Sequence, residues 1–268
     1  MRELNSICLY DERSAPTLDM SALARYLASR TGCPEVRVRG PFLMEHAGPD
    51  RFSDLAHRIA RLKVRNVEAP FHETEPLHAE LEFERRRLAN EDRGPFGILY
   101  DGFRLQRLLR EVMAKNELRL DLVHVVFTNR TLGTWGDDLR YHLRSITLGL
   151  PAIISTTGLV EAPAKPREFY LAQQDLGMAA RSEYALSLLK ERFKGQFLDH
   201  DDLRLTEVAK GYAMQAIVYQ STGEAFCSDP DCRLFNAHWQ AELIRAQLQG
   251  PREYCERHQR LLSCMQEG

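Results

Sequence analysis

The spacing of apolar residues changes period several times along the chain, and each change marks an element. Ile7-Cys8-Leu9-Tyr10 reads as a short strand closed by Asp11-Glu12. From Leu18 to Ser29, the residues Leu18, Leu23, Tyr26 and Leu27 recur near helical spacing, and Gly32 ends the run. Glu35 to Gly40 alternates strictly, as an edge or half-buried strand does. Phe52 to Leu62 sets Leu55, Ile59 and Leu62 on one helical face, with Ser53 as the expected N-cap. A strand–helix–strand–helix opening of this kind belongs to α/β or α+β domains.

The pattern then breaks. Residues 66–95 are charged, carry Pro70, Pro76 and Pro95, and read as a surface excursion holding one short helix, Leu77 to Leu88. Phe96 to Tyr100 gives a strand and Arg104 to Met113 an amphipathic helix. Leu120 to Phe127 is rich in Val and Leu with little alternation, which predicts a central strand buried on both faces. Ser145 to Ser155 supplies one or two further strands broken at Pro151. Three helices are expected after that: Gln173 to Phe193, Leu203 to Tyr219 and Phe235 to Gln247. Strands early and helices late predict an α+β fold, a mixed sheet with flanking helices and a helical C-terminal part. The expected division is a mixed domain over 1–200 and a helical zinc-binding part over 201–268, packed as one unit.

Composition narrows the class of function. The chain has 268 residues, 36 Lys+Arg against 38 Asp+Glu, and a formal net charge of -2. That balance argues against a nucleic-acid binder, which usually shows a basic excess. No apolar run approaches the ~20 residues of a membrane helix. The polar opening Met1 to Ser6 lacks the apolar stretch of a signal peptide, so a cytoplasmic location is expected.

Cysteine placement carries the chemistry. Of six cysteines (Cys8, Cys33, Cys227, Cys232, Cys255 and Cys264), four fall in the last 42 residues. In a reducing compartment such a cluster favours metal over disulfides. Cys227 and Cys232 form a C-x4-C unit whose Ser-Asp-Pro-Asp spacer turns the chain back, and Cys255 and His258 form a C-x2-H unit downstream. Three thiolates and an imidazole are a tetrahedral zinc set, closed and therefore structural. His238 and then Cys264 are the substitutes for His258 as fourth ligand. The opposing reading is buried free cysteines and a surface helix histidine.

This tail resembles the archaemetzincin-like zinc metallopeptidases, in which a helix bearing H-E-x-x-H-x-x-G-x-x-H runs into C-x4-C and later C-x2-C, which bind a structural zinc. Gly223-Glu224-Ala225-Phe226-Cys227 matches the step from helix to first cysteine, and Tyr254-Cys255-Glu256-Arg257-His258 the second pair with His for the last Cys. Leu99 to Leu105, Leu132 to Gly136, Ile154 to Pro163 and Phe235 to Trp239 resemble blocks of a small family described as metallopeptidases. The resemblance implies a metzincin-like fold, a zinc cofactor and a peptide or protein substrate. Registered on Cys227, however, the catalytic motif falls on Ala216, Ile217, Gln220 and Phe226, so its histidines and general-base glutamate are not preserved.

Other candidates compete with simpler roles. His142, between Arg140 and Arg144, is a possible base or ligand, or one residue of an exposed edge strand. Glu161 and Glu168 bracket a proline-stiffened loop and, with His142, could build a relocated hydrolase site. Asp199-His200-Asp201-Asp202 could hold a hard metal, though Asp201 or Asp202 as a helix N-cap is the cheaper account. His124, inside an apolar strand, reads as a hydrogen-bonded core histidine. Trp135 and Trp239 line a pocket or simply pack. Three readings follow: a metallopeptidase-like protein with a structural Cys3His zinc site, an inactive peptide-binding protein on that scaffold, or a hydrolase with its site moved to His142 and Glu161.

Overall fold

The computed structural model describes residues 3–12, 14–89, 97–177 and 182–267. The chain runs through β1 (Ser6–Asp11), α1 (Met20–Thr31), β2 (Val36–Arg39), α2 (Phe42–His46), α3 (Phe52–Ala60), α4 (His78–Ala89), β3 (Leu99–Asp101) and α5 (Gly102–Val112). It continues through β4 (Leu122–Thr128), β5 (Thr131–Trp135), β6 (Tyr141–Arg144), β7 (Ile146–Thr147), β8 (Ala152–Ser155), α6 (Thr156–Glu161), α7 (Arg167–Leu176) and α8 (Glu183–Arg192). The helices α9 (Leu205–Thr222), α10 (Gln240–Ile244) and α11 (Glu256–Glu267) complete it.

The fold is α+β with a mixed main sheet in the order β2-β1-β4-β8-β7. The first four strands are parallel and β7 is antiparallel to β8. A second sheet orders β3-β5-β6. Residue alternation gives the main sheet two covered faces. Ile7, Leu9, Val123, Val125 and Phe127 point into a core shared with α1, α9 and α11. Cys8, Tyr10 and Val126 point to the other side, under α2, α3 and α5. The first core joins residues on both sides of position 200, from Leu4 to Leu262.

Local chemistry explains the well-formed elements. In α1, Leu23 and Leu27 sit one turn apart and are fully buried; the Asp19 carboxylate accepts the Ala22 N–H at 2.8 Å, and Gly32 closes the helix at φ 64°. The helix α9 is buried nearly all round, as a central helix must be.

Several expected boundaries are corrected. Ser53 does not cap α3, which starts at Phe52 with no side-chain cap. Glu161 ends α6 and Glu168 lies in the first turn of α7, so the proline-stiffened loop is only 162–166. The run Gln173 to Phe193 is two helices, and its residues 178–181 lie outside the described residues, as does Phe96 at the start of the expected strand. The helix expected from Phe235 begins at Gln240, because the Phe235 N–H turns back to the Cys232 carbonyl and Cys227 pairs with Phe235 as an isolated bridge. Asp202 accepts the Arg204 N–H in the turn before α9, but neither it nor Asp201 is that helix's cap, a place taken by Arg204. Helix α11, which carries His258, goes beyond the elements that the apolar pattern predicts.

Candidate metal centres

The C-x4-C loop is shaped by its own backbone. The Cys232 N–H reaches the Asp229 carbonyl at 3.1 Å, the Cys227 N–H reaches Leu234 at 2.8 Å, and the Asp229 N–H points at the Cys227 sulfur at 3.3 Å. Arg245 and Arg252 hold Asp231 and Asp229 from outside, each at 2.7 Å. The second pair straddles the start of α11. His258 follows Cys255 by three residues, so both face the same way, and the neighbouring Tyr254 hydroxyl meets that of Tyr26 on α1 at 2.6 Å.

The four side chains converge. One ligand atom from each of Cys227, Cys232, Cys255 and His258 lies within 4.8 Å of all the others. The Cys227 and Cys255 sulfurs are 3.8 Å apart, while His258 Nδ1 is 3.5 Å from Cys232 and 3.2 Å from Cys255. A tetrahedral ion with Zn–S of ~2.3 Å and Zn–N of ~2.0 Å demands edges of about 3.8 Å and about 3.5 Å. The donor set therefore fits zinc, with Nδ1 as the imidazole donor. Cys232 and His258 are buried, and burial pushes the Cys232 thiol up to about 12. Neither His238 nor Cys264 belongs to the group, and both are exposed.

A second group lies on the opposite face of the main sheet. It comprises His46, Glu117 and His124, again with ligand atoms within 4.8 Å of one another. Three separate pieces of chain build it. Phe42 and Leu43 bury one face of α2 and so carry His46 inward, leaving its side chain 2% exposed. Strand β4 turns His124 to the same side as Val126, and a single turn of 3-10 helix at Lys115–Glu117 brings the carboxylate over it. Tyr10 on β1 stands between the imidazoles, its hydroxyl 2.9 Å from His124 Nδ1 and 3.1 Å from His46 Nε2. Arg39 donates at 2.9 Å to that hydroxyl and at 2.9 Å to Glu117. His124 is thus the buried, hydrogen-bonded histidine that its strand implied, and burial holds it down to about 4, neutral at physiological pH.

The remaining sequence candidates stay apart from both groups. His142, on the edge strand β6, pairs with Asp138 at 2.6 Å. Glu161 is held near 2 by a hydrogen bond from His200 and by Lys165, which lies 3.1 Å away. Among the described residues, no group of three or more metal-capable side chains includes His142, Glu161, Glu168 or the 199–202 acidic run. Trp135 packs edge-on against Tyr141, and Trp239 is half exposed. On α9, Ala216 and Ile217 are core residues and Gln220 donates to the carbonyls of Leu120 and Leu122, so these three motif positions serve packing and hydrogen bonding, while Phe226 is exposed. Sequence reasoning missed His46, Glu117, Tyr10 and Arg39 because no spacing links them; the one signal was a histidine inside an apolar strand, which needs a polar partner.

Fold and site define a mixed α+β protein with a metal-capable Cys3His tail. The chain belongs to the family described as "Probable metallopeptidase family (DUF6775)", which matches residues 3–265. No curated protein matches it. Among solved structures it is similar to a zinc-dependent peptidase from Methanocorpusculum labreanum (strain Z), with 14% identity, 96% of this chain and 98% of that chain covered, and a TM-score of 0.43. Among the described residues no helix is long and apolar enough to cross a membrane.

Proposed function

We propose that this metallopeptidase-family protein binds one structural zinc ion through Cys227, Cys232, Cys255 and His258, in a reducing, cytoplasmic setting, and acts on peptide or protein. The observation that carries the zinc assignment is the set of 3.8, 3.5 and 3.2 Å separations, which match the edges of a tetrahedral site made of three sulfurs and one nitrogen. Four protein ligands leave no position for water, so this ion would fasten the C-terminal part. Family membership supports peptide as the substrate class, and the C-x4-C and C-x2-H spacing supports a tail of archaemetzincin type.

Hydrolysis by a metal needs an activated water and a carboxylate or imidazole base, which a closed Cys3His site does not offer. Elemental analysis of the purified chain tests the assignment. A zinc content that drops by about one equivalent in Cys232→Ser, with a lowered melting temperature, is the expected result. Unchanged zinc in that variant would remove the structural site.

A further inference from the structure

We propose that His46, His124 and Glu117 form a second site, for a divalent transition metal of the zinc type, on the opposite face of the main sheet from the cysteine cluster. Glu117 Oε2 lies 3.8 Å from His46 Nε2 and 4.0 Å from His124 Nδ1. A tetrahedral ion with ~2.0–2.1 Å bonds to nitrogen and oxygen needs edges of about 3.4 Å, so the carboxylate must close on each imidazole by about half an ångström, while the two imidazole nitrogens lie within 4.8 Å of each other. Two imidazoles and one carboxylate are borderline and hard donors that suit zinc and its neighbours.

The surroundings are built for it. Tyr10 stacks at 5.8 Å on His124 and tilts at 5.5 Å against His46, and Phe42 packs at 4.3 Å on His46, which fixes both rings. His124 is fully buried, its Nδ1 faces the Tyr10 hydroxyl at 2.9 Å, and its Nε2 has no hydrogen-bond partner among the described residues. Arg39 is an unfavourable neighbour for a cation. It has a second carboxylate, Glu45 at 3.3 Å, to retain it when Glu117 turns to a metal. With Glu45 and Glu117 against Arg39 the cluster carries formal charge -1 before any ion arrives.

Unlike the Cys3His site, this one has three metal-capable groups and approaches solvent through Glu117 and Arg39, 24% and 22% exposed. Two histidines and a glutamate are the protein ligands of one kind of hydrolytic zinc centre. Its use in hydrolysis rests on the proposed function; its existence does not.

The test is metal stoichiometry on the full chain, dialysed and reloaded with Zn2+, for wild type, Cys232→Ser, His46→Asn and Glu117→Gln. The expected contents are about two equivalents for wild type and about one for each variant. Loading with Co2+ identifies which site survives. His46→Asn should keep the thiolate-to-cobalt charge-transfer band, which also reports an intact tail, whereas Cys232→Ser should keep only weak ligand-field bands. A wild type with one equivalent, lost in Cys232→Ser and kept in the other two, would overturn the inference and leave a hydrogen-bond network. Two equivalents undiminished by either His46→Asn or Glu117→Gln would overturn it too. Should His46→Asn fail to fold, Glu117→Gln decides alone, since that side chain is partly exposed and outside the apolar core. Failure of the cysteine assignment reads separately, as zinc unchanged in Cys232→Ser.

Discussion

Gly158 shows how much one missing atom can decide. It sits inside α6, where an added Cβ would run into the backbone carbonyl of Arg144 and lie 3.0 Å from Ser145 Cα. Backbone cannot swing away as a flexible side chain can. Gly158→Ala is therefore expected to destabilise by about 1–3 kcal/mol, as overpacking does. Urea denaturation should show a lower midpoint with an unchanged slope. At this scale the sequence was informative about Cys227, Cys232, Cys255 and His258, because short turns and one helical step fix their relative positions. It was silent about His46 and Glu117, which lie 78 and 7 residues from His124 with no periodic relation.

Between elements, buried side-chain amides replace missing backbone partners. The last turn of α6 leaves carbonyls unpaired, and Gln240 at the start of α10 donates to those of Leu159 at 2.9 Å and Val160 at 3.0 Å. Its own oxygen accepts the Leu198 N–H at 3.0 Å, and the residue is fully buried. Gln240→Leu keeps the volume and strips all three bonds, so a loss of about 2–4 kcal/mol in chemical denaturation is expected from the stranded groups. The same need explains why the helix begins at Gln240 and not at Phe235. Glu242 folds back onto the His238 and Trp239 N–H groups at 2.8 and 3.1 Å, which fixes the first turn there. Periodicity over 235–247 cannot register such a cap, since it counts apolar spacing alone.

Over the whole molecule, a buried charge cluster ties α4 to the smaller sheet and the main one. Glu84 is fully buried and accepts from Arg130 at 2.7 Å, from the Tyr100 hydroxyl and from Lys63, whose nitrogen is 3.4 Å away. Removing one carboxylate would leave two buried cations without their partner, at a cost of about 3–5 kcal/mol. At about 2–4 °C per kcal/mol for a chain of this size, Glu84→Ala should lower the melting temperature by roughly 10 °C. Glu82→Ala, on the same helix and paired with exposed Arg85, should leave it unchanged. A calorimetric scan of both variants separates the buried network from the surface pair.

Taken alone, the sequence determined what local spacing can encode: the early strands and helices, the buried β4, the exposed edge strand carrying His142, and the cysteine pairs. Hydrophobic period, turn residues and ligand spacing all act over a few residues, and each is visible in one stretch of chain. Tertiary structure alone decided the parallel order β2-β1-β4-β8, the splitting of the late helices, and the meeting of Tyr10, Arg39, His46, Glu117 and His124. Those five come from β1, β2, α2, a turn and β4, and they share a site only because parallel pairing stacks β1 between β2 and β4 and apolar burial presses α2 onto that face. No residue among them requires another by sequence distance, so the fold has to exist before the site can be seen.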